Sequence, residues 1–144
     1  MSSTNTAIAS ILLNTTPDRV WQALTNPAQI REYLFGTTAS SEWKKGSTIT
    51  YSGEWEGKKY EDKGKIIEIR PNELLHTTYF SNMSGLEDKP ENYNNVFYKI
   101  IPAGNQVILT VVQDNCRDEK SRDHSETNWQ YVLQSLKKLV EGNQ

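Results

Sequence analysis

The side chains able to do chemistry in this chain are few and scattered. It has one cysteine, Cys116, and two histidines, His76 and His124, in three separate segments. A zinc site would have to recruit distant carboxylates to complete its ligand set. Cys116 sits in a polar stretch where Arg117 and Lys120 would favour its thiolate, yet no histidine is placed beside it as a base. It reads as a spectator thiol in a loop. His76 falls within an alternating segment, on the face opposite Leu75 and Tyr79, and His124 lies among charged residues. Both are expected at the surface. Glu54 and Glu56 share the polar side of one segment without a positioned partner acid, so solvation is their expected role. Asp62 and Glu68 are better candidates for an interior acid, provided their segment turns them inward. No glycine-rich phosphate loop and no Gly-x-Ser-x-Gly turn occurs. The sequence thus predicts no metal, no cofactor and no ready-made catalytic set.

The apolar and aromatic residues carry a stronger pattern, which depends on the elements that hold them. Residues 6–14 read as a strand. Thr16-Pro17 is a helix start, with Thr16 able to cap and Pro17 where no N–H is needed. Val20, Trp21 and Leu24 then share one face. Asn26-Pro27 repeats the signal, with Gln29 where a capping-box partner would stand. Ile30, Tyr33 and Leu34 form the apolar face of this second short helix, and Gly36 stops it. From Gly46 the period falls to two, with Ile49, Tyr51, Gly53 and Trp55 on one side. A turn at Gly57-Lys58 leads into a strand from Tyr60 to Arg70, whose facing the adjacent Ile66 and Ile67 leave open. Leu75, Thr77 and Tyr79 alternate next. Residues 81–95 read as a long loop, and strands over 95–101 and 106–114 follow. The last of these puts Val107, Leu109, Val111 and Gln113 on one face. Asn115 to Asp123 reads as a polar loop. Beyond it Trp129, Val132, Leu133, Leu136, Leu139 and Val140 recur at helical spacing, up to Gly142.

Antiparallel strands followed by one long amphipathic helix predict an α+β architecture, a single domain over residues 1–144. The helix stripe must cover the apolar face of the sheet. A twisted sheet curls around one helix imperfectly, so room is expected between them, lined by Trp and Tyr. Sixteen basic residues against 18 acidic, with the lysine pairs dispersed among acids, exclude a protein built to neutralise nucleic acid. No apolar run approaches the length of a membrane span. Met1 to Asn5 carries no basic cluster, and the short, mixed stretch after it is unlike a secretory signal, so a cytoplasmic location is expected. The sequons at Asn14 and Asn82 are then accidental.

The stretch Thr16-Pro17-Asp18-Arg19-Val20-Trp21-Gln22-Ala23-Leu24-Thr25-Asn26-Pro27 resembles the opening signature of proteins related to the C-terminal domain of the activator of the ninety-kilodalton heat-shock chaperone's ATPase. The likeness continues through Gly64 to Pro71, Leu75 to Tyr79, and Trp129 to Lys137. Tyr33 and Tyr79 stand where that family commonly has tryptophan, and Asn128 where glycine is common. The resemblance places the chain in the lipid-transfer and birch-pollen-allergen superfamily. It implies a helix-grip fold: a curved antiparallel sheet wrapped around a long C-terminal helix, with two short helices after the first strand.

The expected function is to bind a hydrophobic small molecule, lipid-like or polycyclic aromatic, between sheet and terminal helix, without catalysis. The expected wall is Ile49, Tyr51, Trp55, Thr77, Tyr79, Leu109, Val111, Gln113, Trp129 and Leu133. The resemblance also implies two rivals. One is a chaperone-associated interaction module, which asks for an exposed apolar patch and no sizeable cavity. The other is a cyclase- or dehydratase-like enzyme, which needs Asp62, Glu68 or His76 to point inward. Removing the Trp129 ring, read as a packed stripe residue, is expected to cost about 3–5 kcal/mol.

Overall fold

A computed structural model describes residues 5–82 and 85–142, apart from the side chain of Trp55. The chain forms β1 (Asn5–Leu13), α1 (Pro17–Thr25), α2 (Pro27–Tyr33), β2 (Thr38–Ser41), β3 (Thr48–Trp55), β4 (Lys58–Arg70) and β5 (Leu74–Ser81). A 3-10 turn at Pro90–Asn92, β6 (Asn94–Ala103), β7 (Gln106–Cys116) and α3 (Glu119–Gly142) complete it. The seven strands make one antiparallel sheet in the order β1-β7-β6-β5-β4-β3-β2, curved around α3. This is the α+β helix-grip architecture.

Local chemistry explains the elements and several departures from expectation. Asn26 closes α1 and opens α2. Its N–H donates to the Gln22 carbonyl at 2.8 Å, and its side chain accepts from the Ala28 N–H at 2.9 Å. That N–H is therefore taken, and the capping box expected from Gln29 does not form. Thr16 holds the N-cap position of α1, but its hydroxyl donates to Asp18 Oδ1 at 2.6 Å instead of accepting from the backbone. The β3–β4 hairpin reverses at Glu56 and Gly57, both at positive φ, so Lys58 already belongs to β4. Helix α3 starts inside the stretch expected as loop. Asp118 Oδ1 accepts from the Ser121 N–H at 2.8 Å, which caps a first turn too charged to show an apolar stripe. Strand β2 has no counterpart in the expected order, because Ala39 is its only buried residue.

The facing of β4 is decided by a register shift between Ile66 and Glu68. Ile66 is 1% exposed and Ile67 is 41% exposed. The bulge returns Ile69 to the inner side, against Ile49, Ile66 and Leu75. Before the bulge, Asp62 and Gly64 share the inward face of Ile66 by simple alternation.

Both sheet edges are blunted. At one end β2 has only four residues. At the other, α3 lies along β1. Glu126 accepts from the Ile8 N–H at 3.0 Å, Glu141 from the Asn14 N–H at 2.7 Å, and Lys137 donates to the Leu12 carbonyl at 3.2 Å. Edge groups that would template another strand are thus occupied by helix side chains. The main core joins Leu13, Val20, Ile30 and Val107 to Leu109, Leu133, Leu136 and Val140.

Candidate functional site

The curved sheet and α3 do not fill the space between them. A cavity of about 650 Å³ remains. Its sheet wall is Thr77, Tyr79, Val96, Tyr98, Leu109, Val111 and Gln113, and its helix wall is Trp129, Val132, Leu133 and Leu136. Tyr33 of α2 and Leu34 just beyond it close one side, and Tyr51, Tyr60 and Asp62 close another from β3 and β4. Exposed Phe35, Glu54, Lys58, His124 and Asn128 border it where it opens to solvent.

Of the residues expected on the wall, Tyr51, Thr77, Tyr79, Leu109, Val111, Gln113, Trp129 and Leu133 border this cavity. Ile49 does not. It is 1% exposed and packs with Ile66 and Leu75 in a separate small cluster, against which Tyr51 and Tyr98 of the cavity wall pack. The side chain of Trp55 lies outside the described residues. Tyr98, Tyr33, Tyr60 and Ser81 border the cavity although none was expected on its wall. Tyr98 was within reach, since Val96, Tyr98 and Ile100 alternate on one face. Tyr60 was not, because its place depends on the strand pairing that puts it beside Gly53. A Cβ on Gly53 would stand 2.5 Å from the Tyr60 hydroxyl. The bare glycine lets that ring lie across it, with its hydroxyl 2.5 Å from Thr37 Oγ1.

Polar groups on the wall are mostly paired with each other. Trp129 Nε1 donates to Gln113 Oε1 at 2.8 Å, and its ring meets Tyr98 edge-on with centroids 5.8 Å apart. The Tyr51 and Tyr98 hydroxyls are hydrogen-bonded to one another. Burial pushes the phenols of Tyr33, Tyr51, Tyr79 and Tyr98 upward, so they keep their protons at neutral pH. The Tyr79 hydroxyl donates to Asp62 Oδ2 at 2.9 Å. Asp62 Oδ1 is buried with no hydrogen-bond partner among the described residues.

Asp62 is the interior acid. Burial raises its carboxyl above the ordinary range, and hydrogen bonds from Tyr79 and Ser81 offset only part of this. A carboxyl raised in the folded state holds its proton more tightly there than in the unfolded chain. Its contribution to stability is therefore full below the unfolded value of 3.8 and is lost as pH rises through the raised folded value. Asp62→Asn should remove this decline. Urea midpoints of variant and parent, compared from acidic to neutral pH, should diverge in favour of the variant as pH rises. A constant difference would show that Asp62 is not desolvated.

The other candidate groups lie elsewhere. Glu68 accepts from Arg70 Nε at 2.9 Å, and His76 Nε2 pairs with Asn95 Oδ1 at 2.9 Å while stacking on Phe97 at 4.0 Å; neither borders the cavity. Cys116 is the last residue of β7 and buried, not part of a loop. Burial pushes its thiol up, against the lowering expected from Arg117 and Lys120. Trp129 is only partly buried and faces open space, so the cost of removing its ring falls to about 1.5–3 kcal/mol, that of burying a side chain without tight packing.

The sequence profile of the family described as Activator of Hsp90 ATPase homolog 1-like protein matches residues 14–141. The chain belongs to this family. Among solved structures, this family member is similar to the solution structure of ChR145 from Cytophaga hutchinsonii, with 42% identity and a TM-score of 0.86 over 99% of this chain and 97% of that one. Protein MLL2253 from Mesorhizobium loti shares 20% identity, with a TM-score of 0.80 over 96% of this chain and 98% of that one. The Aha1 dimer from Colwellia psychrerythraea shares 20% identity, with a TM-score of 0.75 over 94% and 96%. The last two likenesses concern the fold alone. No curated protein shows significant sequence similarity to the chain. Among the described residues no helix is long and apolar enough to cross a membrane.

Proposed function

We propose that this chain, acting as one cytoplasmic domain over residues 1–144, binds a hydrophobic small molecule between its sheet and α3 without chemistry on it. The carrying observation is the cavity of about 650 Å³. Its size falls in the range of small-molecule sites, and its walls combine aliphatic and aromatic surface with a few polar groups. An apolar guest gains about 0.8 kcal/mol for each methylene it buries, which suits lipid-like and polycyclic aromatic compounds. Trp129 borders the space and reports on its contents. Titration with lipids, sterols and aromatic polyketides should change tryptophan emission saturably for at least one class. Trp129→Phe should lose most of that signal. Silence across all classes would overturn the proposal.

One observation favours a second reading. Asp62 stands inside the cavity, the condition a cyclase- or dehydratase-like reaction requires, while Glu68 and His76 lie away from it. Recovery of a bound compound as a cyclised isomer, or with one water lost, would support this reading, and recovery with its structure unchanged would support binding alone. The chaperone-associated role asks for a filled interior, and the open cavity argues against it.

A further inference from the structure

We propose that the molecule held in this cavity presents a hydrogen-bond donor, a hydroxyl or an N–H, to Asp62, with the rest of its body apolar or aromatic. This rests on the binding function proposed above and names the chemistry the site selects.

The inference comes from how the polar groups of the wall are spent. Gln113 is held by Trp129, Tyr51 by Tyr98, Thr37 by Tyr60, and both Tyr79 and Ser81 by Asp62. Asp62 keeps one buried oxygen, Oδ1, that nothing among the described residues satisfies. A buried carboxylate oxygen without a donor is costly, and a donor brought by a guest recovers that cost. Asp62 borders the cavity, and the terminal torsion of an aspartate is broad and two-fold, so rotation can bring the free oxygen to the open space. Among the described residues no cation of the inner wall competes for it. Lys63, the neighbour in sequence, is drawn outward to Asp88 at 2.5 Å, and Lys58 lies at the exposed rim. A guest offering only lone pairs at this point, such as an ether, would set oxygen against oxygen. Burial of the Asp62 carboxyl, which raises its affinity for a proton, acts in the same sense, since a ligand O–H or N–H supplies partial positive charge where the site lacks it.

Three probes with one ring system separate the possibilities: naphthalene, 2-naphthol and 2-methoxynaphthalene, titrated by calorimetry at neutral pH. The parent protein should bind 2-naphthol about tenfold or more tightly than 2-methoxynaphthalene, the worth of one hydrogen bond to a charged group. Asp62→Ala should erase that gap while binding naphthalene no more weakly than the parent, which also shows that the variant is folded. Tyr79→Phe should keep the gap, because it leaves the carboxylate in place. Equal affinity of parent protein for the hydroxyl and methoxy probes would overturn the inference and leave the binding function standing. A gap that survives in Asp62→Ala would overturn it too. If none of the three probes binds the parent, this inference falls, and the binding function stands or falls separately with the lipid, sterol and polyketide titrations.

Discussion

Replacing Leu136 with alanine should destabilise the protein by about 2–5 kcal/mol, the measured range for truncating a buried leucine. Leu136 is 1% exposed and sits on the stripe of α3 with Val132, Leu133 and Val140, all buried. Its loss removes the transfer energy of its methyl groups and the contacts of every neighbour that faced them. The denaturant midpoint should fall with little change in slope, since the surface exposed on unfolding is nearly the same. Tyr131→Ala, on the opposite side of the helix at 68% exposure, should stay within about 0.5 kcal/mol of the parent. A parent-like midpoint for Leu136→Ala would mean that α3 is not docked in the hollow of the sheet, and the cavity would go with it.

Gly64→Ala should match or exceed the loss of about 1–3 kcal/mol usual for overpacking, although it adds only one methyl group. A Cβ on Gly64 would lie 1.8 Å from the Thr78 carbonyl oxygen and 2.5 Å from its carbon. Both are backbone atoms of β5, so relief requires the two strands to separate. The Lys65 N–H, held by Thr78 Oγ1 at 2.9 Å, is pulled away in the same movement. Asp62 and Tyr79 flank this contact on β4 and β5, so the strand separation should also break their hydrogen bond and weaken ligand binding. Gly53→Ala is the useful contrast. Its Cβ would meet only the far end of the Tyr60 ring, which can swing aside. Its thermal midpoint should therefore fall less than that of Gly64→Ala. The reverse order would show that β4 and β5 do not approach as closely as described.

The elements that repeat a period over many residues were legible in the chain itself. Alternation of Ile49, Tyr51 and Gly53 marks β3, and that of Leu75, Thr77 and Tyr79 marks β5. The spacing of Val132, Leu133, Leu136 and Val140 marks the docked face of α3. In each case burial on one side imposes the pattern, so the pattern reveals which side is buried. Asn26-Pro27 marks a helix start because one side chain caps the backbone within three residues. Where these local causes were weak, the reading failed: β2 is too short and polar to show a period, and the charged first turn of α3 reads as loop.

The α+β architecture, the inward faces of β3, β5 and β7, and Tyr51, Tyr79 and Trp129 among the aromatic lining were readable from the chain, because they follow from interactions a few residues apart. Tertiary structure alone decided that Asp62 turns inward, that Ile49 is sealed away from the cavity, and that Tyr60 lies across Gly53. The first depends on where the bulge in β4 falls, the second on Tyr51 and Tyr98, which pack against its cluster and border the cavity, and the third on the pairing of two strands. Contacts between segments distant in sequence leave no period to read, and the polar chemistry of this cavity is made of such contacts.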